Sequence, residues 1–496
     1  MTVASVPLLS DQQLAYYYPE AADESLGPQA KVLSLIAAGM WGIGGLAVVG
    51  MMAVGLTIPA ILTVGALGFV DSLMRRRVSV YALIGAICVF HLIGLVPGLV
   101  TVARLVGAWA LILSAPRLLR SMDTRRIDPI FKWVVLFVIL GVVSFPLSPR
   151  PLFSLLGSAT MVQVYLVPAV MGVWLTCRRY RNMGLMVLVG FTTLLAVQQI
   201  RTGSPEIVET YRRAEAETFT ESAKVDINEM ARLMSIGVFS AIYLFLSTKG
   251  MVKKGLCVFF GMVLCIGIVI GKSRACYVAV PMAVMLGILM ARRAKIGKRL
   301  AAALVAVFLT VVVFFVSSQF GFLGIGIKQR FDSIFEQGIE AGARNVYWSA
   351  YVRVSAARGF MPYGLQGMRF SEKANLLGIT GHVAHNDMID ILAALGLPGL
   401  VLFLGIHGHL FRRIRRMRGH WEQMLAGMFW IFMLTAGMTQ MDFLRKYYGL
   451  VLGLLLVMIR IDEKDRRVEQ ARLSYSYALA YQQTQGEATG GEPPGG

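Results

Sequence analysis

Two of the six histidines of this chain lie in Gly381-His382-Val383-Ala384-His385-Asn386-Asp387, directly before a long apolar run. A neutral imidazole takes up a proton near neutral pH, so His385 and His382 are candidates for activating an alcohol. Asn386 offers an amide to acceptor hydroxyls, and Asp387 or Asp390 can orient a histidine. The same residues also read as a plain helix start, because Asn and Asp are favoured N-caps. A metal site is the weaker reading: His382, His385 and Asp387 give three donors with no fourth ligand and no cysteine nearby, so no metal is expected.

Three further groups could handle a negatively charged substrate. Gly271-Lys272-Ser273-Arg274-Ala275 closes one apolar run. A charge at the edge of hydrocarbon is costly and is a functional candidate by default; the alternative is that Lys272 and Arg274 snorkel to the interface. Arg344-Asn345-Val346-Tyr347-Trp348 sets a guanidinium beside aromatic rings. The planar fork matches phosphate oxygens, and the flat rings of Tyr347 and Trp348 suit sugar faces. An ordinary amphipathic surface helix has the same look. Near the end, Asp442-Phe443-Leu444-Arg445-Lys446 could hold an anionic lipid head group through Arg445 and Lys446, or Asp442 and Arg445 could form a structural pair.

The elements that must position these residues are membrane helices. Soluble domains carry roughly 45–50% apolar and about 25% charged residues, whereas this chain is 56% hydrophobic and 15% charged. Uncharged runs such as Leu256 to Gly271 and Ala301 to Ser317 approach the ~17–25 residues that a helix needs to cross hydrocarbon, where only helices satisfy their own backbone. The pattern predicts an all-α polytopic transmembrane helical bundle of about 12–14 spans, including runs centred near Gly42, Leu62 and Val305. The net charge is +20. Its basic residues fall in short clusters between apolar runs: Arg75 to Arg77, Arg117 to Arg126, Arg178 to Arg181, Lys253-Lys254, Arg292 to Arg299, Arg412 to Arg418 and Arg460 to Arg467. All fall on one side of the predicted layout, so they read as cytoplasmic topology signals and contacts to anionic membrane lipids, not as a nucleic-acid surface.

That layout divides the chain into a polar cytoplasmic N-terminal segment at 1–30, the first part of the bundle at 31–318, one large periplasmic loop at 319–388, the last part of the bundle at 389–462, and a largely disordered cytoplasmic tail at 463–496. Segment 1–30 lacks the basic start and apolar core of a secretory signal, so the first span is expected to persist. The large loop has helical texture of its own, with Tyr347, Ala350, Tyr351 and Val354 on one face. Leu395-Gly396-Leu397-Pro398-Gly399 brings small residues into the following span and reads as a packing device. Cys88, Cys177, Cys257, Cys265 and Cys276 all lie in or beside apolar runs and read as packing residues with no disulfide framework.

In this order the motifs resemble the O-antigen ligase/polymerase family. The resemblance rests on His385-Asn386 followed by Gly396, Gly399 and Phe403, on Ser273-Arg274 at the end of a span, and on a large loop with Arg344, Trp348, Pro362 and Gly364. It also includes Val225-Asp226-Ile227-Asn228-Glu229-Met230-Ala231-Arg232 at the start of a middle span, and it covers roughly 226–455. The sequence departs from the family pattern at Ala275, at Gly364-Leu365-Gln366-Gly367 and throughout its N-terminal half. The resemblance implies a membrane-embedded glycosyltransferase of GT-C type in the bacterial inner membrane. Its donor would be an undecaprenyl-diphosphate-linked glycan, and its acceptor a glycan, lipid or protein hydroxyl. It implies catalytic roles for His385, Arg274 and Arg344, substrate contacts from Asn386, Trp348, Tyr347, Lys272, Arg445 and His382, and no cofactor. Ligase and polymerase share this donor chemistry. A polysaccharide exporter or flippase is the alternative of another class, and would place ionisable groups near the bilayer midplane.

Overall fold

A computed structural model describes residues 78–89, 102–122, 129–202, 227–271, 273–291, 297, 341–365, 384–439 and 441–489. Among these residues the secondary structure is helical, with no strand. In chain order the helices are α1 (Val78–Val89), α2 (Val102–Met122), α3 (Pro129–Val143), α4 (Pro151–Trp174), α5 (Arg178–Thr202), α6 (Ile227–Ser247), α7 (Met251–Ile270), α8 (Arg274–Met290), α9 (Ala341–Ala357), α10 (Asp387–Arg416), α11 (His420–Gly437) and α12 (Lys446–Thr489). Six helical segments among the described residues are long and apolar enough to cross a membrane: Pro129–Leu147, Pro151–Trp174, Arg178–Ile200, Asn228–Ser247, Met251–Ile270 and Asp387–Arg416. The chain is thus an all-α polytopic membrane protein. The runs expected around Gly42, Leu62 and Val305 lie outside the described residues.

Residues 76–459 form one compact unit. Its helices close on one another through small residues, as membrane helices do where lipid supplies no hydrophobic drive between them. A Cβ at Gly287 would lie 3.0 Å from the Met428 amide nitrogen, which brings α8 against α11. One at Gly453 would lie 3.2 Å from Pro168 Cα, which sets α12 on α4. Aromatic rings fill the space between α3, α4, α10 and α12: Phe137 stands 5.7 Å from Tyr165, 6.0 Å from Phe403 and 6.3 Å from Phe443 between ring centres. Phe239 and Phe432, 5.3 Å apart, join α6 to α11.

Helix α10 is bent. Gly396 adopts φ 68° and ψ −169°, and two residues later Pro398 has no N–H to give the carbonyl of Ala394. A strap following α9 repairs both defects. The amides of Tyr363 and Gly364 donate to the Ala394 carbonyl at 2.9 Å each, and the Leu397 amide donates to the Phe360 carbonyl at 2.9 Å. Only glycine fits at 396, because its φ is positive and a Cβ would meet the Phe360 carbonyl and lie 3.0 Å from the Pro362 nitrogen. Gly364, at φ 84°, lies against Ser154 and Ser148 near the start of α4. Gly396 therefore receives a strap, where the sequence suggested helix-on-helix packing, while Gly399 faces Leu395 of its own helix. The arm 397–416 beyond the bend is about 30 Å long at 1.5 Å per residue, enough to cross hydrocarbon unaided.

The described residues outside that unit are 460–489, the remainder of α12. Helix persists to Thr489, through most of the segment read from the sequence as a largely disordered tail. The segment is rich in Ala, Gln, Glu, Arg and Leu, all strong helix formers. Arg466 also pairs with Asp462 at 3.3 Å one turn earlier.

Candidate active site

The site is built around the start of α10. Asn386 is its N-cap, and its side-chain oxygen accepts the amides of Met388 at 3.0 Å and Ile389 at 3.3 Å. The capping role that Asn invites at this position is filled, and it fixes where the preceding residue sits. That residue, the half-buried His385, has φ 53°. A non-glycine residue in the left-handed region costs roughly 1–3 kcal/mol and persists only where its surroundings over-determine it. Here they do. The buried carboxylate of Asp390 receives the amides of Ala384 at 3.1 Å and of Asn386 at 3.4 Å, one on each side of His385. The indole N–H of Trp348, in α9, donates to the Ala384 carbonyl at 2.7 Å.

Helix α9 is held there by its apolar face. Ala350, Tyr351 and Val354 are buried with Tyr363, Ala384 and Ala393, and Tyr347, Trp348 and Ile389 pack around them. The face read from the sequence as Tyr347, Ala350, Tyr351 and Val354 is the one that docks on α10. Arg344 stands in the first turn of α9, one turn before Trp348.

On its other side the α10 start is tied, directly or through further residues, to four more helices. Asp387 Oδ1 accepts the amides of Asp442 at 2.5 Å and Phe443 at 3.2 Å, in the turn before α12. The Asp442 side chain pairs with Arg232 of α6. Arg232, fully buried, also donates to the Tyr447 hydroxyl at 2.7 Å and to the carbonyl of Ala436, at the end of α11, at 3.1 Å. One turn earlier on α6, Glu229 pairs with Arg445 at 3.0 Å. Ser273, the N-cap of α8, donates to Asn228 Oδ1 at 2.9 Å, which brings the start of α8, and so the backbone of Arg274, to the same end of the bundle.

The starts of α6, α8, α10 and α12 and the end of α11 thus meet at one end, with His385 at its edge. The opposite end of the described bundle gathers the basic clusters at 178–181, 253–254 and 412–418. Arg181 meets the Tyr243 hydroxyl and lies 3.5 Å from Glu422. Lys254 lies over the Phe245 ring at 5.4 Å, and Gln423 donates to the Ile414 carbonyl at 3.0 Å within the 412–418 stretch.

Of the residues singled out from the sequence, His385, Asn386, Trp348 and Tyr347 come together at the α9–α10 contact. Arg274 and Arg344 open helices that start at or beside that end. Lys272 and His382 lie outside the described residues. Arg445 takes Glu229 as its ion-pair partner, and Asp442 takes Arg232, so the pair expected between Asp442 and Arg445 is replaced by two bridges to α6. Asp442 and Arg445 are the two ends of one tight turn, closed by the Arg445 amide on the Asp442 carbonyl at 2.7 Å. Glu229 and Arg232 belong to the motif quoted at the start of the middle span, but sequence reasoning assigned them no role. The signal was present: a charged residue inside an apolar run demands a partner in the membrane.

Residues 258–404 match the family model described as O-antigen ligase. The matched segment runs from within α7 through α8 and α9 into α10 just past its bend. No curated protein matches the chain. The match supports glycan transfer of the O-antigen ligase or polymerase kind as the general activity.

Proposed function

We propose that this chain, matched over residues 258–404 to the O-antigen ligase family, moves a glycan from an undecaprenyl-diphosphate-linked donor to an acceptor hydroxyl at the periplasmic face of the bacterial cytoplasmic membrane. The observation that carries the reading is the His385 turn. A histidine held at positive φ by contacts on both flanks is a strained, pre-set side chain, and such strain clusters at functional sites. In the reaction His385 accepts the proton of the acceptor hydroxyl as that oxygen bonds the anomeric carbon. The bond from that carbon to the diphosphate oxygen breaks, and undecaprenyl diphosphate leaves with the electron pair. One displacement inverts the anomeric centre. The leaving group is already a stable anion, so it needs positive charge nearby more than a proton. Arg274 and Arg344 fill that role, since fixed cations act most strongly where charge develops. Arg445 and Lys272 suit the lipid head, and Asn386, Tyr347 and His382 suit the sugars.

The sidedness has independent support. The basic clusters at 178–181, 253–254 and 412–418 share the end opposite His385, and basic loops remain in the cytoplasm. Ligase and polymerase differ in acceptor alone. Purified protein supplied with undecaprenyl-diphosphate-linked glycan and a choice of acceptors separates them: growth of the lipid-linked chain marks a polymerase, and capture by a lipid core or a protein marks a ligase. His385→Ala and Arg274→Ala are expected to lose transfer while still inserting in the membrane. Wild-type transfer by both variants would overturn the site.

A further inference from the structure

Resting on the reading of His385 as the group that activates the acceptor, we propose that Trp348 and Asp390 are positioning residues. They form a clip that holds the His385 turn, and neither one contacts the glycan. Trp348 beside Arg344 has the look of a sugar-stacking ring, and the sequence alone invites that role. Its geometry points elsewhere. An indole has a single N–H to give, and Trp348 directs it to the Ala384 carbonyl at 2.7 Å. Its ring packs against the buried cluster that joins α9 to α10.

Asp390 completes the clip from inside α10. Its two oxygens receive the amides immediately before and after His385. A carboxylate offers acceptors on both oxygens, which two converging N–H groups require. The Asp390 amide in turn donates to the Asn386 carbonyl at 2.8 Å, so the carboxylate stands on a closed helical turn. Residues 384 and 386 are therefore fixed to α9 and α10, and the residue between them has no freedom to return to negative φ. Released from the clip, the backbone at 385 would relax and carry the imidazole away from its working position.

The test uses the full-length protein in lipid nanodiscs with a labelled undecaprenyl-diphosphate-linked glycan. Trp348→Phe keeps a ring of similar packing and removes the donor. Asp390→Asn keeps the volume and turns one acceptor into a donor facing an N–H. Each is expected to lower kcat about tenfold, the effect of one lost buried hydrogen bond, with KM for donor and acceptor unchanged. Because both act through His385, neither should lower the residual transfer of His385→Ala any further. Amide hydrogen exchange at Ala384 and Asn386 should speed up in both variants. A raised KM for the glycan with kcat intact would overturn the proposal in favour of a ring on the sugar. An equal loss of transfer in the His385→Ala background, or unchanged exchange at the two amides, would overturn the clip alone. Wild-type transfer by His385→Ala on its own would instead overturn the reading of His385, and the catalytic purpose of the clip with it, while the exchange data would still report whether the clip exists.

Discussion

Arg232 and Asp442 are each 1% exposed and face one another across α6 and the turn before α12. A buried ion pair adds little over a well-packed apolar pair, but removing one partner strands the other charge. Arg232→Ala and Asp442→Ala should each therefore destabilise the protein by about 3–5 kcal/mol, and the double variant by clearly less than the sum. Urea or thermal unfolding in detergent reads this out, and additive losses would mean that the two residues do not act as a pair. At the same scale, His385→Ala should lower kcat by roughly 100- to 10,000-fold with KM little changed, the usual share of a general base. Steady-state transfer assays check it. His385 and Asn386 were legible as a pair in the sequence because histidine is scarce in this chain and the two stand at a helix start. The partners of Asp442 and Arg445 were not. Both ends of each ion pair lie more than two hundred positions apart in the chain, and spacing carries no information across such a distance.

Among the elements, the apolar face of α9 was readable and its partner was not, since a helical period shows that a face needs something to lie against and never what. The bend in α10 was missed, and 395–399 passed for a packing device, although its residues carry the signal. Gly396 and Pro398 announce an interruption, because one tolerates positive φ and the other cannot donate. The strap that supplies the missing donors and acceptor comes from 360–364, well before α10 in the chain, and nothing in α10 itself specifies it. The dependence can be tested directly. Gly396→Ala adds a Cβ against the strap backbone at φ 68° and should cost roughly 2–4 kcal/mol from strain and overpacking together. Gly408→Ala, on the same helix with open space around it, should be neutral or slightly stabilising. Equal melting temperatures for the two variants would mean that the bend does not depend on its glycine.

At the scale of the molecule, the basic clusters at 178–181, 253–254 and 412–418 and the His385 turn occupy opposite ends of the bundle, which fixes an expectation for orientation. In a cysteine-free background, Val346→Cys, exposed on α9, should react with a membrane-impermeant maleimide on cells whose outer membrane alone has been opened. Lys249→Cys, exposed in the turn between α6 and α7, should react only after the inner membrane is breached. The reverse pattern would turn the reaction to the cytoplasm. The all-α membrane class was plain from composition. The meeting of four helix starts at one end was not, because hydropathy gives where spans lie and never which neighbours they choose. The strap and the clip have one more effect together. Gly364 is pinned to Ala394 and Ala384 to Asp390, so the interval between them leaves from and returns to the same helix. A single backbone cut between residues 365 and 384 would therefore leave both new ends fastened to α10.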